Sequence, residues 1–328
     1  MRIVQAETLD SLDHYRILEV EIPRPGPGEV LIRVAACGVG YVDSLVALGR
    51  YQVKPKLPHI PGQEIAGWIE AVGEGVNAHQ VGDRVMATAP GGFAEYALAE
   101  ARSVYKIPDK MTFEQAAGFR INYLTALHAL KDRGSLRQRE RVLVIGAAGG
   151  LGAAAVQVGR ILGGEVIAVA STEEKRAFAR GLGADRVLDS ERDGWRDRLR
   201  TITEGKGPNV IFDPVCGPLF ELAFRSLAWG GRHLVAGFVG GPIPALPVNL
   251  TLMKGAALVG VDVRQFLLYE QDHARTLLLQ LLDWVDQDQL TPPVGRTFPL
   301  TSFLDALNYA ISGKGLGKTV LTLGSNTF

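Results

Sequence analysis

A glycine-rich turn between two apolar segments constrains the fold of this chain more than any other feature. The turn spans residues 146–152 (GAAGGLG), follows the apolar segment 141–145 and precedes a helical pattern of small, apolar residues at 153–162. A second apolar segment at 165–170 completes a strand–turn–helix–strand unit. This is the arrangement of a dinucleotide-binding βαβ motif, although Ala147 replaces the first glycine of the G-x-G-x-x-G pattern.

Glycine at such a turn lets the backbone approach a pyrophosphate, which binds to the N–H groups at the start of the helix. The residues predicted to bind the pyrophosphate are Gly146, Gly149, Gly150, Leu151 and Gly152.

The end of the second strand indicates which cofactor is preferred. An NAD-selective site usually has an acidic residue there, which accepts hydrogen bonds from the ribose 2′-hydroxyl. Here Ser171 stands at that place, and Lys175 and Arg176 follow in the next predicted helix. Ser171 and Lys175 are expected to bind a 2′-phosphate, and the sequence therefore predicts NADPH. The alternative is that the basic pair is only a solvated helix face.

Composition limits the other possibilities. The length of 328 residues suggests two domains, and 35 basic residues balance 35 acidic ones. The net charge is therefore zero, and it does not favour nucleic acid or an anionic membrane as a partner. No apolar run is long enough to span a bilayer, and no signal peptide is evident. Two cysteines, Cys37 and Cys216, form no disulfide framework, so we expect a cytoplasmic protein.

The pattern of the chain changes near residue 122. Residues 1–105 resemble a series of strands separated by Pro/Gly turns, whereas helix and strand patterns alternate from 123 to 262. The alternation predicts a mostly parallel, doubly wound sheet. One amphipathic helix at 266–290 and a last strand at 319–323 are expected to follow.

Several ordered motifs resemble the medium-chain dehydrogenase/reductase superfamily, and in particular its zinc-free quinone oxidoreductase (zeta-crystallin-like) branch. These motifs lie at 30–43, 57–67, 82–85, 91–96, 122–130, 146–152, 183–185 and 317–321. The resemblance implies an α/β fold with a GroES-like β-rich catalytic domain and a doubly wound Rossmann domain. It implies domain boundaries at 1–122 together with 263–328 for the first, and 123–262 for the second.

Metal ligands of the zinc-dependent members are missing at the matching positions. Their ligand cysteine and histidine correspond to Gly40 and Gln63, and no cluster of four cysteines follows residue 87. Because tetrahedral zinc needs three or four Cys, His or carboxylate ligands, we predict no metal. The alternative is an unusual zinc site at His59 and Glu64.

Without a Lewis acid, the electrophiles that remain are those that delocalise the charge left by hydride addition. Quinones and C=C bonds conjugated to a carbonyl meet this condition. The resemblance gives Tyr51 as the predicted proton donor, with a packing role as the alternative. Tyr41 and Arg264 are predicted to contact the substrate, and a plain surface position is equally open for Arg264.

The resemblance also carries over further cofactor positions. Asn122 and Thr125 are expected beneath the nicotinamide ribose and diphosphate, and Tyr41 near the nicotinamide. The loop residues Phe238 and Val239 match a nicotinamide contact, and Lys314 matches a basic residue near the phosphates. Relatives have Tyr where this chain has Ser190, and Pro where it has Arg120, for which the sequence offers no explanation.

Three functions stay open: an NADPH-dependent quinone oxidoreductase, a reductase of enones, enals or enoyl thioesters, and an NADPH-binding crystallin-like protein with little turnover. The resemblance further implies a homodimer through the predicted strand 257–261, since an unpaired apolar edge favours self-association. The alternative is an edge covered by the helix at 266–290.

Overall fold

A computed structural model describes residues 1–324. The described chain forms two compact units, one made of Met1–Arg120 with the segment from Pro292 onward, and one made of Ile121–Thr291.

Residues 1–324 form fifteen β-strands and eleven α-helices. The strands are β1 (Arg2–Gln5), β2 (Arg16–Glu19), β3 (Glu29–Val39), β4 (Glu64–Val72), β5 (Arg84–Thr88), β6 (Tyr96–Glu100), β7 (Val104–Lys106), β8 (Arg141–Ile145), β9 (Glu165–Val169), β10 (Arg186–Leu188), β11 (Val210–Asp213), β12 (Arg232–Val235), β13 (Ala257–Gly260), β14 (Val294–Pro299) and β15 (Lys318–Thr322). The α-helices are α1 (Tyr41–Ala47), α2 (Phe113–Ala117), α3 (Arg120–Leu127), α4 (Gly150–Ile161), α5 (Glu173–Gly181), α6 (Trp195–Ile202), α7 (Phe220–Ser226), α8 (Asn249–Lys254), α9 (Val263–Tyr269), α10 (Gln271–Asp286) and α11 (Phe303–Ile311).

The first unit is built on a seven-stranded sheet in the order β14-β15-β3-β4-β5-β7, with β6 also paired to β3. The long strand β3 is central because it pairs with β15, β4 and β6 in antiparallel fashion. Its register against β4 shifts at two points, which bends the strand. Gly67 lies opposite the second shift, where a Cβ atom would meet the carbonyl oxygen of Arg33 at 2.0 Å.

The second unit contains a six-stranded sheet in the order β10-β9-β8-β11-β12-β13, with every pair parallel. Counted from β8, this is the 3-2-1-4-5-6 order of a dinucleotide-binding sheet. Apolar residues on its strands and on the covering helices form one buried core, which includes Leu143, Ile167, Trp195, Ile211 and Phe224. The expected fold class, a β-rich GroES-like domain with a parallel doubly wound domain, is confirmed.

The second unit extends further than the sequence suggested, because residues 263–291 belong to it and not to the first unit. The ring of Phe266 stacks on His128 at 3.8 Å, and His273 Nε2 lies 3.0 Å from the carboxylate of Asp132. The predicted helix at 266–290 is two helices, α9 and α10, which are separated at Glu270 by a non-helical backbone (φ −127°, ψ 47°). Amphipathic periodicity predicts a helix but not the core against which it packs.

Within residues 1–324, no helix is both long enough and apolar enough to cross a membrane.

Candidate functional site

The glycine turn between β8 and α4 adopts a backbone that other residues cannot easily follow. Gly146 has φ +67°, and the Ala147 N–H donates to the carbonyl oxygen of Val169 at the end of β9 over 3.1 Å. A Cβ atom on Gly152 would lie 2.1 Å from the carbonyl oxygen of Gly146. The turn therefore needs glycine at position 152 for close packing and at 146 for its positive φ.

The start of α4 presents unused hydrogen-bond donors. No side chain caps the helix at Gly149, and residues 1–324 supply no acceptor for the N–H groups of Leu151 and Gly152. The helix dipole adds a partial positive charge at the same end of this 12-residue helix. These groups fit the pyrophosphate of a dinucleotide.

One loop of the same unit lies against the turn, and a second loop packs on the first. A Cβ on Gly146 would be 2.9 Å from Val215 Cγ2, in the loop after β11. That loop accepts hydrogen bonds from the loop after β12: Val239 N–H donates to Pro214 O (3.5 Å) and Gly240 N–H to Val215 O (2.8 Å). The predicted nicotinamide contacts Phe238 and Val239 are exposed on this second loop.

A buried Asp–His pair that sequence reasoning missed fixes the first of these loops. Asp213 Oδ1 accepts from the N–H groups of Val215 and Cys216, and Oδ2 lies 3.1 Å from His233 Nε2. Both side chains are almost completely buried. An Asp at the end of an apolar strand was the only available signal, and it did not indicate the histidine partner.

The residues predicted to bind a 2′-phosphate lie at the end of β9 and at the start of α5. Ser171 is exposed just beyond β9, and Lys175 lies in the first turn of α5. Arg176 is directed elsewhere: it donates to the carbonyl oxygen of Ala170 (3.1 Å) and pairs with Glu173 at 3.0 Å.

The two residues predicted on α3 are buried in the second unit. Asn122 is 9% exposed and Thr125 is 3% exposed. The Thr125 hydroxyl donates to the carbonyl oxygen of Ile121 at 2.6 Å, so its oxygen remains able to accept one further hydrogen bond.

The first unit contains a group of buried charges that the sequence did not indicate. Lys318 Nζ, on β15, donates to Glu64 Oε2 on β4 at 2.8 Å, and the two side chains are 13% and 9% exposed. Asp43 lies nearby on α1, where its carboxylate accepts the Gly40 N–H at 2.7 Å. Burial raises the pKa of Asp43, and Lys318 opposes that rise.

Carboxylates also hold Lys318 in its charged form. Burial alone would lower its pKa, but Glu64 and Asp43 outweigh burial and raise it. The adjacent thiol of Cys37 is buried, which raises its pKa well above the usual range, so it is not a reactive thiolate.

Arg120, which the sequence left unexplained, lies close to the same charges. Its guanidinium donates to Thr88 Oγ1 at 2.6 Å and stacks over the ring of Tyr105 at 5.2 Å. Burial lowers its pKa, while Tyr105 and Glu64 counteract that shift. Asp43, Glu64, Arg120 and Lys318 are called the Lys318 cluster below.

The remaining predicted residues lie at accessible positions. Tyr41 begins α1 and Tyr51 follows that helix; both are partly exposed, and residues 1–324 provide no hydrogen-bond partner for the Tyr51 hydroxyl. Lys314 is exposed in the turn after α11. Arg264, at the start of α9 in the second unit, lies 3.9 Å from Asp262, so its charge is partly balanced.

Zinc does not fit the residues present. The two candidates for an unusual site are engaged elsewhere, since His59 Nδ1 lies 2.7 Å from the Tyr15 hydroxyl and Glu64 binds Lys318. In the part of the chain that the structure describes, no group of three or more His, Cys, Asp or Glu residues could hold a metal ion.

Comparison with known proteins agrees with both units. Residues 26–109 match the alcohol dehydrogenase GroES-like domain, and residues 150–284 match the zinc-binding dehydrogenase family. The human quinone oxidoreductase is 36% identical over 310 residues, which cover 93% of this chain and 92% of that protein.

Two solved structures extend the comparison. A mycobacterial protein solved in complex with NADPH is 32% identical, with a TM-score of 0.90 over 98% of this chain and 100% of that one. The CurK enoyl reductase is 26% identical, with a TM-score of 0.89 over 98% of this chain and 99% of that one.

The two units and the nucleotide turn define an oxidoreductase of the medium-chain dehydrogenase/reductase superfamily. Within that superfamily, the chain belongs to the quinone oxidoreductase-like family.

Proposed function

We propose that this enzyme is an NADPH-dependent, zinc-independent reductase that transfers hydride to a quinone. The observation that carries the cofactor assignment is the turn at 146–152 with its unused N–H donors, together with Ser171 and Lys175 beyond β9. A relative at 32% identity was solved with NADPH, which supports the same cofactor here. The relatives named quinone oxidoreductases support the substrate class.

Different residues are assigned to different parts of the cofactor and to the substrate. When bound, the reduced nicotinamide supplies hydride. Leu151 and Gly152 bind the pyrophosphate through their N–H groups, and Lys175 binds the 2′-phosphate. Asn122, Thr125, Phe238 and Val239 orient the nicotinamide end, with Tyr41 and Lys314 as further cofactor contacts. Tyr51 holds an available hydroxyl proton, and Arg264 contacts a polar substrate group.

A second candidate function is reduction of C=C bonds conjugated to a carbonyl. The likeness to the CurK enoyl reductase favours it, as does the Tyr51 hydroxyl, which has no partner within residues 1–324 and is therefore available as an acid.

A substrate screen separates these functions. Oxidation of NADPH is followed with 1,4-benzoquinone, 9,10-phenanthrenequinone, an enal and crotonyl-CoA, each with and without enzyme. Turnover that is fastest with the quinones supports the proposal, whereas turnover confined to the enal or the thioester contradicts it. NADPH binding without turnover of any substrate would favour a crystallin-like role.

We also propose a homodimer. Strand β13 is an edge of the parallel sheet, its residues are largely exposed, and Leu258 on it is 44% exposed. Trp229, Leu252 and Met253, in the same unit, are exposed apolar side chains. Such an edge is stabilised by pairing with its own copy across a two-fold axis. Light scattering at micromolar concentration should give twice the chain mass, and a monomer would contradict the proposal.

We also propose a cytoplasmic location, which the unpaired Cys37 and Cys216 suggest.

A further inference from the structure

The buried ammonium of Lys318 has hydrogen-bonding capacity that the protein does not use. An ammonium group carries three N–H donors. One donates to Glu64 Oε2, and residues 1–324 offer no hydrogen-bond acceptor to the other two. Burying donors without acceptors is unfavourable, so this group favours the arrival of an acceptor from outside the chain.

Glycines make the space in which the Lys318 side chain lies. A Cβ atom on Gly118 would be 2.7 Å from Lys318 Cγ, and one on Gly38 would be 2.9 Å from Cε. A Cβ on Gly40 would be 3.5 Å from Nζ itself. The first two glycines therefore accommodate the stem, and Gly40 leaves open the volume next to the charged end.

The charges around this volume select the kind of group that fits. Lys318 and Arg120 are balanced by Glu64 and Asp43, so the Lys318 cluster has no net charge when all four are ionised. Asp43 Oδ2 would lie 3.2 Å from a Cβ at position 40 and would repel an anion placed there. A neutral acceptor such as a carbonyl oxygen avoids this repulsion and still uses the free N–H groups.

We propose that Lys318 is a catalytic residue that donates a hydrogen bond to the carbonyl oxygen of a neutral quinone or enone, in the volume that Gly40 leaves open. This proposal rests on the proposed function. Hydride addition, in which a C–H bond of the bound reduced cofactor would supply the hydride, forms one new bond to hydrogen on the substrate and breaks a π bond of the conjugated system, whose electron pair moves to the carbonyl oxygen. The ammonium stabilises this oxyanion without losing its own proton. The oxyanion then takes one proton from the Tyr51 hydroxyl or from water.

The first test measures ligand binding and needs no turnover. 9,10-Phenanthrenequinone is titrated into the protein without reduced cofactor, and the C=O stretching band of the bound quinone is recorded by infrared difference spectroscopy. In the unsubstituted protein, the band should shift to lower wavenumber than in water, because the charged donor weakens the C=O bond.

The informative variant is the double substitution Lys318→Met with Glu64→Gln, since Lys318→Met alone would leave a buried carboxylate without its ammonium. We expect the double variant to keep its fold by circular dichroism and to lose the shift of the band. Its dissociation constant for the quinone should rise about tenfold to a hundredfold, and Lys318→Arg should retain part of the affinity. An unchanged band and affinity in the double variant would overturn the proposal.

Gly40→Ala tests the open volume, and the chain offers a matched control. In both Gly40 and Gly26 the N–H donates to a carboxylate three residues on, and in both an added Cβ would lie 3.2 Å from that carboxylate. Gly40→Ala should weaken quinone binding and Gly26→Ala should not; equal effects would contradict the proposal.

Crotonate should bind more weakly than the neutral enone 3-penten-2-one, and equal affinities would contradict the selection for neutral groups.

Failure of the proposed function can be distinguished from failure of the Lys318 proposal. The proposed function is contradicted if the unsubstituted enzyme binds NADPH but reduces no quinone.

Discussion

The nucleotide turn of the second unit and the Lys318 cluster of the first unit are built from different parts of the polypeptide. The turn spans seven consecutive residues and offers the backbone N–H groups of Leu151 and Gly152, whose placement depends on glycine. The Lys318 cluster uses side chains from distant positions: Glu64 and Lys318 lie on β4 and β15, which both pair with β3, whereas Asp43 lies on α1 and Arg120 at the start of α3. Ligand binding at the turn should therefore respond most to substitutions that add atoms, whereas binding at the Lys318 cluster should respond most to substitutions that remove a charge.

The largest effect is expected at the turn. Gly152→Ala places a methyl group 2.1 Å from the carbonyl oxygen of Gly146, so the turn must shift and its N–H groups lose their alignment. NADPH affinity, measured by fluorescence titration, should fall about a hundredfold or more. Gly181→Ala is the control, since nothing lies within 4 Å of its added Cβ. Unchanged affinity in Gly152→Ala would show that the turn does not depend on glycine.

In the first unit, removal of one hydroxyl should have an effect that depends on the substrate. Tyr51→Phe should lower turnover of 2-enoyl substrates about a hundredfold, because the basic enolate needs a positioned acid. Turnover of quinones should fall by less than about tenfold, since a hydroquinone anion takes its proton from water. Steady-state kinetics with both substrates provide the measurement. Small, equal effects would assign Tyr51 a packing role.

The cofactor preference of the second unit should depend on the charge of one side chain, as the Lys318 cluster of the first unit does. Lys175→Ala should remove most of a preference for NADPH over NADH of about tenfold to a hundredfold, because it removes a charged phosphate contact. Arg180→Ala is the matched control on α5, since Arg180 is exposed and pairs with Glu173. Equal dissociation constants for the two cofactors in the unsubstituted protein would refute the assignment.

The smallest effect is expected from metal removal. Gly40 and Gln63 supply no zinc ligands, and Lys318 lies close to position 40. Dialysis against EDTA should leave quinone reduction unchanged, and elemental analysis should find no stoichiometric zinc. One zinc per chain, with activity lost on its removal, would contradict the proposal that the Lys318 ammonium stabilises the charge on the carbonyl oxygen.

The same contrast explains how much the sequence could predict. The βαβ unit, the parallel sheet and the turn follow from local patterns, because glycine spacing and apolar periodicity act over a few residues. The alternation of strands and helices did not show that residues 263–291 pack on the second unit, since that depends on distant contacts such as Phe266 with His128. Lys318 lies within the family motif at 317–321, but its partner Glu64 is more than two hundred residues away along the chain.

Arg120 shows the limit most clearly. Relatives have proline at its position, and nothing local indicates Thr88 or Tyr105 as its partners. The sequence also did not indicate that the Arg176 guanidinium binds Ala170 O and Glu173. A basic residue on a helix can face either the ligand or the strand before it, and sequence position alone does not decide between them. The roles of Tyr51, Lys175 and the nicotinamide loop remain predictions for the experiments above.

The position of β15 between β14 and β3 has a consequence for synthesis on the ribosome. The second unit is complete once residue 291 has left the exit tunnel, and it can fold while the rest of the chain is still being made. The first unit, although its synthesis begins earlier, must wait for residues 318–322 before β3 gains its partner along that edge. A chain that ends near residue 310 and is held on the ribosome by an added linker spanning the tunnel should therefore already capture the nucleotide, while its N-terminal sheet remains open to chaperones and proteases.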